Sequence, residues 1–274
     1  MKLWRKSIWL GVCSTFLLAI GLVPVYPLAG KEILEKVKAT RTWENEVAQV
    51  SFLMINKDKK TRLRHVLRRR KHYAGKDGLD TKTLLVFQYP PKYHNYAYLS
   101  WSYRTSGQRD LKWVYNPNDT FYFKPIRRLV YDQRDNFLGF WLEGNDFTYE
   151  ELTERPVDAD SYTLLGEEVY NLKPCYLIES ISRDKQDNAP ARRIFWIWKD
   201  KWLSLKVDFY DSEGKLRKTL YNHWAQVQGF WTLRQSLMKN HKTQHQTIMR
   251  VDKVEYNTES SDIYFTPSLL GNVR

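Results

Sequence analysis

The stretch EVAQVSFLMI, residues 46–55, decides the fold class. From Glu46 onward, polar and apolar residues alternate with a period of two, and β-branched and aromatic residues are frequent. Apolar side chains occur in both alternating sets: Ala48, Val50, Phe52 and Met54 in one, Val47, Leu53 and Ile55 in the other. We therefore predict a β-strand with apolar contacts on both faces.

The residues before this strand have a different period. Between residues 31 and 42, Ile33, Leu34 and Val37 fall on one side of a helix, and most of the charged residues fall elsewhere. This spacing predicts a short amphipathic helix in front of the first strand.

Similar strand patterns follow along the rest of the chain, separated by clusters of Gly, Pro, Asn or Asp. The sequence DSEG at 211–214 is typical of a hairpin turn. With no alternating helices, the pattern predicts one meandering antiparallel sheet and a single domain over residues 31–274. The predicted strands are 46–55, 61–70, 82–88, 96–103, 110–116, 162–170, 174–182, 192–199, 203–210, 216–223, 229–238 and 244–256.

Aromatic residues are unusually frequent, at 15% of the chain with 11 Trp and 18 Tyr, so they need either a large core or a cavity to line. In the run from Ile194 to Trp198 every residue is apolar, so this strand must be covered on both faces. The aromatic set is compatible with an ordinary core and with the walls of an apolar cavity.

The beginning of the chain resembles an export signal. Lys2, Arg5 and Lys6 precede an apolar stretch over residues 7–23, and small residues follow at Ala29 and Gly30. We expect residues 1–30 to be a cleaved signal peptide and the mature protein to be periplasmic; a retained membrane anchor is the alternative. Cys13 would leave with the signal, so Cys175, predicted to be buried, could form no internal disulfide.

The chain is basic, with a net charge of +13. Ten of the cations lie between Lys57 and Lys76, against the single acid Asp58. One hypothesis is a docking patch for an anionic membrane or an acidic transporter domain, and the other is a solvated hairpin. Export argues against nucleic acid as the partner. The docking residues would be Arg62, Arg64, Arg68, Arg69, Arg70 and Lys71.

Motifs for catalysis are absent from the sequence. There is no Gly-x-Ser-x-Gly elbow, no Cys/His pair and no phosphate-binding glycine loop. His241 and His245 lie on a predicted strand without an acid between them, which is a poor metal site. We predict no catalytic residue, no cofactor and no metal, and therefore a protein that is not an enzyme.

The segment DNFLGFWLEGNDFTYEEL, residues 135–152, is the most unusual part of the sequence. Aromatic and apolar residues surround Gly139, and Asn145 or Asp146 could cap a short helical turn. Such a segment would serve equally as a mobile lid over a cavity or as a buried plug. The residues that would form the lid or plug are Phe137, Leu138, Phe140 and Trp141 of the aromatic loop and Phe147, Tyr149 and Leu152 of the turn.

The order of several motifs resembles the family of outer-membrane lipoprotein-sorting proteins related to the periplasmic lipoprotein carrier LolA. The resemblance covers essentially the whole chain after the signal. It rests on INKDKKTRLR at 55–64, WVYNP at 113–117, the pair Arg127 and Arg128, DFTYEEL at 146–152, LLGEEVYNLKPCYLIES at 164–180, FYDSEGKLRKTL at 209–220 and FTPSLL at 265–270.

This resemblance implies an incomplete antiparallel β-barrel with a short N-terminal helix and a lid, enclosing an apolar cavity for acyl chains. We expect Trp101, Trp113 and Tyr115 in the cavity wall, with the lid residues above them. The leading hypothesis is a periplasmic carrier of lipid or lipoprotein acyl chains that works with an inner-membrane lipid exporter. The alternative is a lipid-sensing regulator or accessory scaffold with the same fold.

Overall fold

The computed structural model describes residues 29–104, 108, 110–117, 128–129, 144–152, 155–183 and 191–270. Two helices are present in these ranges, α1 (Gly30–Ala39) and the short α2 (Tyr149–Leu152). The strands are β1 (Asn45–Ile55), β2 (Thr61–His72), β3 (Leu79–Tyr89), β4 (Ala97–Tyr103), β5 (Leu111–Tyr115), β6 (Arg128–Leu129), β7 (Asp160–Tyr170), β8 (Lys173–Ser182), β9 (Arg192–Trp198), β10 (Leu203–Tyr210), β11 (Leu216–Val227), β12 (Phe230–Asn240) and β13 (Gln246–Tyr256).

All the strands belong to one antiparallel sheet of 13 strands. Its spatial order is β6-β5-β4-β3-β2-β1-β13-β12-β11-β10-β9-β8-β7, so β1 pairs with β13 and joins the two halves of the chain. The edge strands β6 and β7 are not hydrogen-bonded to each other in the described residues. The sheet is therefore open, as expected for an incomplete barrel.

The sheet has an inner and an outer face, because side chains alternate along each strand. In β1, Ala48, Val50 and Phe52 are buried in the main core, together with Val66 from β2. On this inner face the core continues through β10 to β13, with residues such as Val207 and Met249. The main core and the cavity described below therefore lie on the same face.

The outer face is covered in part by the C-terminal segment. Short 3-10 helices at Asp262–Phe265 and Pro267–Leu269 place Phe265 and Leu270 against Leu84 and Leu99 of the sheet. Phe265 is fully buried and Leu270 nearly so. This packing explains why β3 and β4 carry apolar residues on both faces.

Helix α1 packs at the other half of the sheet. Its Ile33 is fully buried against Ile178 of β8 and Ile197 of β9. On the opposite face of β9, Ile194 and Trp196 pack with Cys175 and Leu205. The all-apolar run 194–198 is thus covered on both faces, as its sequence predicted, and Cys175 is buried.

The predicted fold class is confirmed: the chain is mainly β, with an incomplete antiparallel barrel and a short N-terminal helix. Each of the 12 strands predicted from periodicity corresponds to an observed strand, with small differences at the ends. Helix α1 ends at Ala39, three residues before the predicted end. Within the described ranges, no helix is long and apolar enough to cross a bilayer.

Candidate functional site

A cavity of about 280 Å³ lies on the inner face of the sheet. Much of its wall is apolar, and we call this part the apolar end. It is formed by side chains of three consecutive strands of the sheet, with Val50 and Phe52 from β1, Met249 from β13 and Leu233 from β12. Further apolar lining residues are Val66, Leu85, Phe147, Leu152, Leu203 and Leu220.

Polar residues line the rest of the cavity, because a row of them crosses neighbouring strands on the inner face. Glu46 pairs with Arg70, Arg70 with Thr83, Thr83 with Ser100, and Ser100 with Lys112. The parallel row that begins at Val50, four residues after Glu46, is apolar and contains Val50, Val66 and Phe87. The cavity therefore changes from polar to apolar along the strands, and we define its polar end by Arg41, Glu46, Arg68, Arg70, Thr83 and Ser100.

A buried ion pair lies at the polar end. The Nε atom of Arg68 is 2.6 Å from Glu46 Oε1, and Arg70 Nε is 3.9 Å from the same oxygen. Only 3% of the Glu46 side chain is exposed. Burial alone would raise the pKa of Glu46, but the charges of Arg68, Arg70 and Arg41 outweigh it and hold this pKa below its ordinary value. Glu46 is therefore ionised inside the fold.

Two further basic side chains have lowered pKa values, Arg41 at this end and His72 beside it. Burial, followed by the like charge of Arg70, lowers the pKa of Arg41 to about 9. Burial, followed by the charges of Arg41, Arg70 and Lys38, lowers the pKa of His72 to about 2. These shifts reflect a buried region that is crowded with positive charge, where adding a further proton is unfavourable.

The polar end leads to a more open pocket, which we call the vestibule. It is formed between the end of α1 and the ends of β2 and β3, with a volume of about 720 Å³. The vestibule shares Arg41, Trp43 and Asp80 with the cavity. Asp80 is paired with Lys38 of α1, with 2.7 Å between Lys38 Nζ and Asp80 Oδ2. The cavity thus meets a solvent-accessible region at its polar end.

The segment before and within α2 covers the apolar end. Phe147 is 3% exposed and, with Leu152, packs against the main core while lining the cavity. Thr247 Oγ1 donates to Asp146 Oδ2 at 2.9 Å and accepts from the Asp146 backbone N–H at 3.0 Å. Burial raises the pKa of Asp146, although this hydrogen bond works against the shift.

A second contact holds the same segment. The Nζ atom of Lys218, on β11, lies 2.8 Å from Glu151 Oε1 and 2.9 Å from the carbonyl oxygen of Asp146. Glu151 also accepts from the Thr148 backbone N–H at 2.8 Å, which caps this turn. Residues 146–152 are therefore fastened to β11 and β13 beside the cavity.

The structure corrects the assignment of Trp101, Trp113 and Tyr115 to the cavity wall. Tyr98, Ser100 and Ser102 line the cavity, so the intervening Trp101 points to the outer face. There it packs with Trp113 and Tyr115 against the C-terminal segment, and its Nε1 donates to the carbonyl oxygen of Phe265 at 3.0 Å. The rings of Trp101 and Trp113 are 5.0 Å apart.

The six predicted docking residues do not form one exposed patch. Alternation along β2 places Arg64, Arg68 and Arg70 on the inner face, where Arg64 is 4% exposed and lies over the Tyr93 ring. On the outer face, the Arg69 guanidinium lies 4.4 Å from the Tyr264 ring centre, and Lys71 Nζ lies 2.7 Å from Asp262 Oδ1. Arg62 is exposed beside the β1–β2 turn.

The remaining predicted site residues divide into two groups. Phe147 lines the cavity, and its role in a lipid site stays a prediction. Phe137, Leu138, Phe140 and Trp141 lie outside the described residues, as does the side chain of Tyr149. Their assignment to the lipid site stays a prediction.

Sequence reasoning missed the polar end of the cavity, although a signal for it exists. Glu46 has the same parity as the apolar residues Ala48, Val50 and Phe52, and Arg68 and Arg70 have the same parity as Val66. The hairpin that joins β1 and β2 then brings these exceptions together, with Glu46 opposite Arg70. A carboxylate and two guanidinium groups at core positions of paired strands indicate a buried charged site.

The described residues contain no group of three or more His, Cys, Asp and Glu side chains that could hold a metal ion. His241 Nε2 instead lies 2.9 Å from Thr219 Oγ1. Burial raises the pKa of the Cys175 thiol, which disfavours its thiolate form.

Solved structures share this architecture. A domain from Vibrio parahaemolyticus described as an outer-membrane lipoprotein-sorting protein matches 89% of this chain and 98% of its own, with a TM-score of 0.77 and 24% identity. A DUF1329 family protein from Desulfovibrio piger matches 88% and 97%, with a TM-score of 0.78 and 25% identity. Neither of these two proteins is described as an enzyme, and the same holds for a third similar structure, from Nitrosomonas europaea.

A LolA superfamily protein from Nitrosomonas europaea matches 88% of this chain and 98% of its own at 17% identity, with a TM-score of 0.62. No curated protein matches the chain. A family model described as "Uncharacterized protein" matches residues 79–272, which is more than half of the sequence. The chain therefore belongs to this family, whose fold is LolA-like.

Proposed function

We propose that this protein is a periplasmic carrier that shields an acyl chain of a lipid or lipoprotein between the inner and outer membranes. The observation that carries the proposal is the cavity on the inner face, whose apolar end is built from Val50, Phe52, Leu233 and Met249. Its volume of about 280 Å³ is close to the lower limit of roughly 300 Å³ for small-molecule sites. A cavity of this volume can hold part of one acyl chain.

The energetic need for such a cavity is large. Each CH₂ group exposed to water costs about 0.8 kcal/mol, so an unshielded acyl chain costs on the order of 10 kcal/mol. A carrier must also release its cargo, which requires a cavity wall that can open. The segment 146–152 is fastened by a few polar contacts, at Thr247 and Lys218, and we propose that it opens to admit the chain.

The exposed part of the basic segment suggests how the carrier meets its donor. Lys57, Lys59, Lys60 and Arg62 are exposed around the β1–β2 turn, whereas Arg68 and Arg70 are inside. We propose that these four cations speed encounter with an anionic membrane or an acidic domain of an inner-membrane lipid exporter. Replacing all four with Gln should slow association with anionic vesicles at low salt and leave the unfolding midpoint unchanged; unchanged association would contradict this role.

The cavity is tested by filling it. Leu233→Trp places a larger side chain into the apolar end, and Leu165→Trp makes the same exchange at a side chain of β7 that is 47% exposed. Titration with a fluorescent fatty acid should show binding to the wild type and to Leu165→Trp, and strongly reduced binding to Leu233→Trp. Equal binding by both variants, with both folded by circular dichroism, would contradict an acyl site in this cavity.

A further inference from the structure

The cavity is amphipathic, and its polar end carries an excess of positive charge. The charged side chains of the polar end are three cations, Arg41, Arg68 and Arg70, and one carboxylate, Glu46. Asp80 is paired with Lys38 and Glu46 with Arg68. The remaining carboxylate of the cavity wall, Glu151, is bound to Lys218 beside the α2 segment. The balance at the polar end is positive.

Burial makes this balance significant. Glu46 is 3% exposed, and the side chains of Arg68 and Arg70 are 12% and 18% exposed. In such a region, excess charge of one sign is costly unless an opposite charge joins it. An anion placed between these guanidinium groups would lower that cost, and arginine is well suited to bind carboxylate or phosphate oxygens in pairs.

A second, independent observation comes from Ser100. Its side chain lines the cavity and is 1% exposed, and its Oγ has no hydrogen-bond partner among the described residues. Ser100 lies opposite Thr83, which in turn lies opposite Arg70. An unpaired buried hydroxyl is unfavourable, so a hydroxyl aimed into the cavity beside cationic groups is typical of a position that a polar ligand atom satisfies.

We infer that the polar end binds the anionic group of an amphiphile, with Arg41, Arg70 and Ser100 contacting a carboxylate or phosphate while the acyl chain occupies the apolar end. The inference rests on the proposed function and names its ligand class, an anionic lipid rather than a neutral one. The polar end adjoins the vestibule through Arg41, Trp43 and Asp80, so a head group bound there is close to solvent. A free anion would use only half of the site.

The experiment compares two probes with the same acyl chain, a long-chain fatty acid with a charged head group and its uncharged methyl ester. We expect the purified protein to bind the acid about tenfold more tightly than the ester, as one charge-assisted contact predicts. Arg70→Gln should weaken binding of the acid to about the level of the ester and leave the ester unchanged. Arg69→Gln is the matched control, because Arg69 is adjacent in sequence but lies on the outer face over Tyr264.

Two more arms keep the test decisive. Arg70→Lys retains the charge and should retain most of the preference for the acid, which separates charge from a folding defect. Equal affinity of the wild type for acid and ester, or equal losses in Arg70→Gln and Arg69→Gln, would overturn the inference while the carrier function stands. Displacement of the acid by inorganic phosphate alone would show that the polar end binds free anions, and would overturn the inference that its ligand is an amphiphile. If neither probe binds, the proposed function fails and this inference fails with it.

Discussion

Arg68 forms a 2.6 Å ion pair with Glu46 inside the sheet, although its sequence context is a run of ten cations that resembles a surface patch. Because the two residues lie on paired strands at core positions, the pair charges one end of a cavity whose other end is apolar. The polarity of the cavity follows from this relationship.

Removing the carboxylate of this pair should be costly. Glu46→Gln leaves Arg68, Arg70 and Arg41 without their shared counter-charge, and breaking a buried pair typically costs about 3–5 kcal/mol. The urea midpoint should fall accordingly. The control Glu255→Gln removes the exposed pair with Lys253 and should leave the midpoint almost unchanged. Equal midpoints for the two variants would show that the Glu46 pair does not stabilise the fold.

Stability should fall on acidification because of His72. Its pKa is lowered to about 2 in the folded protein, first by burial and then by the charges of Arg41, Arg70 and Lys38. The unfolded chain takes up a proton near pH 6.5 and the folded chain does not, so stability is lost as pH falls below about 6.5. Between pH 7 and pH 5 the loss should be about 2 kcal/mol in urea titrations.

The comparison variant for this pH effect is His72→Gln, which cannot titrate and can still meet Thr81 Oγ1, 3.0 Å from His72 Nδ1. Its stability should change less between pH 7 and pH 5 than that of the wild type. A wild type and variant with the same pH dependence would contradict a neutral His72 in the folded state.

The contact between Thr247 and Asp146 should control the segment 146–152. Thr247→Val keeps the shape of the side chain but removes both hydrogen bonds to Asp146, and the loss should be about 1–3 kcal/mol because Asp146 stays buried. Amide hydrogen exchange should accelerate at residues 146–152 more than in β8. Uniform acceleration over the whole sheet would mean that the segment is an integral plug and opens only when the protein unfolds.

Periodicity in the sequence predicted the strands well, but it could not say which face of the sheet encloses the cavity. Alternation along β4 separates Tyr98 and Ser100 from Leu99 and Trp101, and both sets are apolar enough to be buried. The two faces differ because Phe265 and Leu270 of the C-terminal segment cover the face that carries Trp101. These residues lie more than 160 positions after Trp101 in the sequence, so local periodicity carries no information about this contact. For the same reason, Arg68 could not be separated from Arg69 until β2 was placed in the sheet.

This revised position of Trp101 leads to a prediction of its own. Trp101→Ala should lower the free energy of unfolding by about 3 kcal/mol, because it removes a large aromatic contact with the C-terminal segment and the hydrogen bond to Phe265. Fatty-acid affinity of the folded variant should stay unchanged, because the side chain is on the outer face. A selective loss of fatty-acid affinity with normal stability would indicate that Trp101 does line the cavity.

The most direct test of an acyl chain inside the sheet is photo-crosslinking with a fatty acid that carries a diazirine on its chain. Mass spectrometry should find the label on inner-face residues of the apolar end, such as Val50, Phe52, Leu233 and Met249. Neighbours on the same strands that point outward should stay unlabelled. Label on Trp101, Phe265 or the exposed Val169 and Leu172, with none on the inner face, would contradict the account.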